Sequence, residues 1–244
     1  MRIPITAAGV SAALLAGGYL YAGMWPESQI FGPTLIAGGD ADEIALTYDD
    51  GPNDHCTERI LEVLARHDVR ATFFVIGRFA RERVALVRRI HEAGHVVGNH
   101  TWTHPMLLFR SPGRVREELR ATNAALEDAL GERAGYFRPP HGARRPDVLR
   151  TAREMGMVPV LWNVTGYDWR PGTSQGIVTN LERGIERNRR RGVGSNLLLH
   201  DGGQAGIGQD RSRTVAATAA LLEAWHGRAK FVTVAQWVDS PAGS

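Results

Sequence analysis

From residue 44 onward, short apolar runs of strand length alternate with stretches whose apolar residues recur at helical spacing, and this alternation most limits what the chain can fold into. Ile44–Tyr48, Ala71–Ile76, His95–Val97, Tyr136–Phe137, Met157–Trp162, Asn196–Leu199 and Phe231–Thr233 read as strands from their apolar, β-branched and aromatic content. Between them, Val115, Leu119, Thr122, Leu126 and Leu130 repeat at the spacing of a helix face. Shorter helix faces are marked by Ile60, Leu61 and Leu64, by Leu86 and Ile90, by Ile177, Leu181 and Ile185, and by Val215–Trp225. About seven strands separated by helices predict an α/β protein with a parallel sheet and helical crossovers. Closed, that is a barrel of TIM type one unit short; left open, it is a doubly wound sheet, and the pattern alone allows both. The 244 residues suffice for one domain of either kind.

The first 26 residues differ from the rest. No charge lies between Arg2 and Glu27, and the stretch from Ile5 to Trp25 is apolar and small. About 20 helical residues cross a hydrocarbon core, so this N-terminal apolar helix reads as a transmembrane anchor. A cleaved signal peptide is the competing expectation, with Leu20-Tyr21-Ala22 as a weak processing site. Arg2 precedes the segment and residues 27–58 contain no Lys or Arg, which places the remainder of the chain outside the cytoplasm under either reading.

Charge narrows the partners. The net charge is +3 and Lys230 is the only lysine. The basic run Arg187, Arg189, Arg190, Arg191 has no interleaved aromatics. It reads as a solvated helix end rather than a nucleic-acid surface. Cys56 is the single cysteine, so no intrachain disulfide forms.

Polar clusters follow the strands, where barrels of this kind carry their active sites. They are Asp49-Asp50-Gly51-Pro52, Asn99-His100-Thr101-Trp102-Thr103-His104, Arg138-Pro139-Pro140-His141-Gly142, Thr165-Gly166-Tyr167-Asp168-Trp169 and His200-Asp201-Gly202-Gly203. Two histidines spaced i, i+4 can face one way on a helical turn and hold one cation, with an aspartate as third ligand. Such a site acidifies water to a pKa of roughly 7. A second carboxylate can take the proton and a further histidine can protonate a leaving amine.

Together the five segments resemble the polysaccharide deacetylases (NodB-type domains, carbohydrate esterase family four), over roughly residues 42–238. The resemblance implies a distorted (β/α)7 barrel. With the reading of the N-terminus above, the chain divides into 1–26 as anchor or signal, 27–41 as linker and 42–240 as catalytic domain. The resemblance further implies that Asp49 is the general base and that Asp50, His100 and His104 hold a divalent metal, zinc being usual and cobalt or nickel also suited to such donors. Arg138 would orient Asp49 as its carboxylate, and Asp168 would pair with His200, the general acid. The His141 amide would donate to the oxyanion, Pro139 and Trp169 would shape the substrate pocket, and Leu198 would line the acetyl methyl pocket. Two departures stand out: Tyr48 replaces a common phenylalanine, and Thr165 stands where an aspartate is frequent.

The implied activity is metal-dependent removal of N-acetyl groups from an N-acetylglucosamine polymer, peptidoglycan or chitin-like oligomers, by a monomer. O-acetyl ester hydrolysis on xylan-type glycans and deacylation of a lipid-linked sugar fit the same residues. Other readings are a non-catalytic glycan-binding protein and a two-carboxylate glycosidase. Adjacent Asp49 and Asp50 suit the last poorly, since they cannot readily flank a glycosidic bond.

Overall fold

The computed structural model describes residues 7–239. Strand β1 (Glu43–Gly51) lies at the centre, parallel to β2 (Thr72–Val75) on one side and to β7 (Ser195–His200) on the other. Beyond β2 come β3 (Val96–Asn99), β4 (Tyr136–Phe137) and β5 (Val158–Pro159), and beyond β7 comes β6 (Val164–Thr165). An eighth strand, β8 (Lys230–Val232), pairs with the start of β1. All these pairings are parallel. The path β5-β4-β3-β2-β1-β7-β6 curls into a distorted, TIM-like half-barrel, as the strand count and the resemblance predicted.

The rhythm breaks in one place. Met157–Trp162 reads as one strand, yet the chain there forms β5, leaves the sheet, and re-enters as β6 after four intervening residues with no helix between. A parallel pair needs a crossover of a dozen or more residues, so β5 and β6 cannot pair and the barrel stays open between them. Leu35 fills part of the opening: its N–H donates to Pro159 O at 2.9 Å and its carbonyl accepts from Leu161 N at 2.9 Å.

Helices α2 (Cys56–Arg66), α3 (Gly77–Glu82), α4 (Val84–Glu92), α5 (Pro112–Leu130), α6 (Pro146–Glu154), α7 (Ser174–Arg190), α8 (Ser212–Trp225) and α9 (Val234–Asp239) complete the layer outside. The sequence pattern missed α3, α6 and α9, which are short. The ends of α5 show why such boundaries fall where they do. Ser111 accepts from Arg114 N at 3.3 Å, Pro112 occupies the first turn, and Gly131 ends the helix at φ 78°.

Strand periodicity sorts β1 into two faces. Ile44, Leu46 and Tyr48 join the large apolar cluster under the helices. Ala45, Thr47 and Asp49 face the barrel interior, where Ala45 packs with Phe74 and Val160. The Tyr48 hydroxyl, absent from the phenylalanine it replaces, is satisfied by Thr218 Oγ1 at 2.9 Å.

Helix α1 (Ala7–Met24) precedes the barrel; the first six residues of the expected anchor or signal lie outside the described residues. Among the described residues no helix is long and apolar enough to cross a membrane. The C-terminal end of α1 is built into the domain. Ala22 is buried, Arg144 N donates to Gly23 O at 3.0 Å, and the buried Arg144 guanidinium donates to Trp25 O at 2.8 Å and Ser28 O at 2.7 Å.

Candidate active site

The five polar clusters meet at the C-terminal ends of the strands. A cavity of about 470 Å³ is lined there by Asp49, Asp50, His100, His104, His141 and His200, with Trp162, Trp169 and Leu198 among its walls.

Asp49 points into the barrel interior because it continues the odd-numbered face of β1. It is anchored by Arg138, whose Nη1 donates to Asp49 Oδ1 at 2.9 Å and to Thr47 Oγ1 at 2.6 Å. The other guanidinium nitrogen donates to Leu161 O at 3.2 Å and Asn196 Oδ1 at 3.3 Å, and the group stacks 4.2 Å from the Phe74 ring centroid. Arg138 is fully buried, and burial pulls its pKa below the usual guanidinium value while the Asp49 carboxylate opposes the shift. A buried charge pair of this kind is costly unless its donors are satisfied; here most are, and the aspartate is held in one orientation.

Asp50 breaks the strand alternation. Its φ of 72° turns its side chain toward the histidines rather than the core under the helices. Aspartate tolerates this left-handed region better than most residues. The turn also needs Gly202, where an added Cβ would lie 2.3 Å from Asp50 O.

His100 and His104 were expected on a helical turn. Instead residues 100–106 are irregular, with Thr101 at φ 66° and His104 at φ 59°. Side chains, not helix geometry, fix the loop: Asn99 Oδ1 accepts from Thr101 N at 2.8 Å, Thr101 Oγ1 accepts from His104 N at 3.1 Å, and Glu118 accepts from Thr103 N at 2.7 Å. The i, i+4 spacing therefore works here without the helix it suggested.

The donor set fits a cation. His100 Nδ1 donates to Arg138 O at 2.8 Å and His104 Nδ1 to Gln204 Oε1 at 2.8 Å. Each ring then carries its proton on Nδ1 and presents the Nε2 lone pair. Those two nitrogens lie 3.5 and 3.1 Å from Asp50 Oδ1, a buried oxygen with no hydrogen-bond partner. The three atoms lie within 4.8 Å of one another, close enough to share one cation, and the Asp50 carboxylate favours positive charge there, holding the His104 imidazole above its ordinary value against the opposing effect of burial. Asp50, His100 and His104 are thus consistent with a divalent-metal site of two imidazoles and a carboxylate, and each ring is oriented by a hydrogen bond on its far side.

Opposite stands His200. Its Nδ1–H donates to Asp168 Oδ1 at 2.8 Å, while Asp168 Oδ2 accepts from His200 N and from Thr214 Oγ1, both at 2.8 Å. Burial alone would lower the His200 pKa, but the Asp168 carboxylate outweighs it and pushes the imidazole up to about 9. Burial would likewise raise Asp168, and the charge of His200 holds it below the ordinary carboxylate value. Trp169 stands edge-on to the His200 ring at 5.2 Å.

The remaining expected residues divide. Leu198 is buried and lines the cavity beside Trp162. His141 sits at φ 58° and its ring stands edge-on to His104 at 4.6 Å. Pro139 is buried and outside the cavity lining; its carbonyl accepts from Gly142 N at 2.9 Å and so shapes the turn that carries His141. Cys56 is buried, with Sγ accepting from Arg211 N at 3.1 Å, away from the metal donors. Asp201 is fully buried rather than on a surface turn, and burial raises its carboxyl to about 7.

Sequence reasoning missed Gln204, which sets the His104 tautomer, and Trp162, which walls the cavity. It also missed Arg211, whose Nε donates to Gly202 O at 2.7 Å. Gln204 follows the double glycine after β7, a loop whose path the sequence does not specify.

Comparison with known proteins agrees with this geometry. The polysaccharide deacetylase family model matches residues 37–160. A chitooligosaccharide deacetylase from Rhizobium leguminosarum bv. trifolii is 39% identical over 199 residues, spanning 79% of this chain and 89% of that protein. A crystal structure of a peptidoglycan N-acetylglucosamine deacetylase in complex with an N-oxidanyl-benzamide superposes with a TM-score of 0.75 at 29% identity, covering 86% of this chain and 95% of that one. A pseudoenzyme of carbohydrate esterase family 4 from Bacillus anthracis superposes with a TM-score of 0.72 at 28% identity, covering 81% of this chain and 66% of that one. The fold therefore does not by itself confer activity.

Proposed function

The chain belongs to the polysaccharide deacetylase family, and from that premise we propose that it removes N-acetyl groups from N-acetylglucosamine-containing glycans, chitooligosaccharides or peptidoglycan, with release of acetate. The observation that carries this reading is Asp49, held by a buried arginine beside the Asp50, His100 and His104 donors and across the cavity from the His200–Asp168 pair.

Each residue has a task in amide hydrolysis. Asp49, fixed by Arg138, accepts a proton from the attacking water. His200, charged at neutral pH through Asp168, returns a proton to the leaving amine. Two groups of opposite protonation state on two sides of one cavity are what acid–base hydrolysis needs. The His141 amide donates toward the oxygen on which charge develops. Leu198 and Trp162 receive the acetyl methyl, and Trp169 limits the pocket beside His200. Asp50, His100 and His104 hold the cation, for which we propose zinc. When bound, it supplies electrophilic stabilisation of the developing negative charge and acidifies water.

We also place the domain outside the cytoplasm, delivered by its N-terminal segment. The charge asymmetry around residues 1–58 supports this, and protease accessibility on intact cells tests it.

The direct test is acetate release from chitooligosaccharides and peptidoglycan by the full chain, with zinc and after chelation. Metal-dependent release from either supports the reading. A zinc-loaded protein that cleaves neither would sink it.

A further inference from the structure

Beside the catalytic cavity lies a second one of about 620 Å³, and Trp162 and Trp169 line both. Its far wall is one face of α7. Arg183, Arg187 and Arg190 stand there at i, i+4 and i+7, the spacing that aligns side chains on a helix surface. Trp25 and Tyr167 add exposed rings.

A basic run near a helix C-terminus is ordinarily accounted for by the helix dipole. That covers Arg187 and Arg190, in the last turn, but not Arg183, which lies a turn and more earlier. Nor are these cations matched by the protein. Arg183 and Arg190 make no hydrogen bond or ion pair among the described residues, and Arg187 is held by the carbonyl of Asn163 and the Asn188 side chain. Glu27 is the one carboxylate in the lining, and it pairs with Arg191 at 3.2 Å. The cavity thus carries uncompensated positive charge, with aromatic walls, a short step from the acetyl pocket.

We propose that this cavity is a substrate subsite for an anionic group borne by the glycan, a phosphate ester or a sugar-linked carboxylate. The proposal rests on the deacetylase reading for the placement of the acetylated sugar. That sugar sits over the metal donors, its neighbouring unit passes between Trp162 and Trp169, and the anion meets Arg183 and Arg190. Guanidinium groups suit both kinds of anion through paired N–H donors.

The test uses the full chain and three probes: N,N′-diacetylchitobiose, its 1-phosphate, and the disaccharide of N-acetylglucosamine and N-acetylmuramic acid, which carries a lactyl carboxylate. Calorimetry gives binding and acetate release gives turnover. At least one anionic probe should bind about tenfold tighter than the neutral one, and the advantage should shrink as salt rises. Which anion wins identifies the source. Arg183→Gln with Arg190→Gln should bring the ratio of anionic to neutral affinity close to one; both side chains are exposed, and each single variant serves as a check. Equal binding of all three probes by the unaltered protein, or a preference that survives the double change, overturns the subsite. A retained preference in the unaltered protein, with acetate released neither from these probes nor from chitooligosaccharides or peptidoglycan, leaves the subsite standing and removes the deacetylase reading instead.

Discussion

The two halves of the barrel are built differently. On one side, β1, β2, β3 and β7 are four to nine residues long, with one register shift at Asp50 between β1 and β2, and their ends deliver Asp49, Asp50, His100, His104 and His200. On the other, β4, β5 and β6 have two residues each, the sheet is open between β5 and β6, and the wall is patched by Leu35 and Trp162. Strand register places Asp49 and His200, while Asp50, His100 and His104 sit on left-handed turns at the strand ends that side chains and Gly202 hold in place. The broken half carries Trp162, Trp169 and the mouth of the arginine-lined cavity, and it also supplies Arg138 and Asp168, which hold Asp49 and His200 from across the barrel. Arg138 ties the halves together: it springs from the end of β4 and donates to Asp49 on β1 and to the carbonyl of Leu161 beyond β5.

The sharpest challenge to this division is Asp49→Asn. It should lower kcat by about 10²–10⁴-fold while zinc binding, read by calorimetry, persists through Asp50, His100 and His104. Loss of zinc binding in that variant would mean that the base and the metal site are not separate devices.

Asp168→Asn probes the other pair that reaches across, His200–Asp168, beside Arg138–Asp49. With His200 raised to about 9, activity should hold through neutral pH and fall as pH rises through about 9. In Asp168→Asn the alkaline fall should move down toward the ordinary histidine value near 6.5. The sign for stability is the same: the folded pKa lies above the unfolded one, so the pair stabilises fully below about 6.5 and this contribution is lost as pH climbs through about 9. A pH–rate profile that does not move in the variant would exclude Asp168 as the source of the shift.

A smaller effect should come from Arg144→Ala, on the broken half. The buried guanidinium satisfies the carbonyls of Trp25 and Ser28, and its loss should destabilise the protein by about 2 kcal/mol. A lower thermal midpoint with unchanged kcat at permissive temperature is expected. A change in kcat of the size expected for Asp49→Asn would mean that this contact serves the chemistry and not stability alone.

Much of this protein was legible in its residues. Apolar runs at strand and helix spacing indicated a parallel α/β barrel because burial enforces periodicity. The clusters around Asp49, His100, Arg138, Asp168 and His200 announced themselves because hydrolysis needs scarce residue types at strand ends. What the chain alone did not decide was how those residues turn. Asp50 and the loop of His100 and His104 depend on left-handed backbone held by Asn99, Thr101 and Gly202, contacts between segments that no local spacing encodes. The same holds for the break between β5 and β6, since a continuous apolar run reads as one strand whether or not a partner lies beside it. Gln204 on His104, Arg144 on the end of α1, and the arginine face of α7 set against Trp162 and Trp169 are products of packing. Local physics writes periodicity and chemistry into a sequence; which distant groups satisfy one another is settled only when the chain closes on itself.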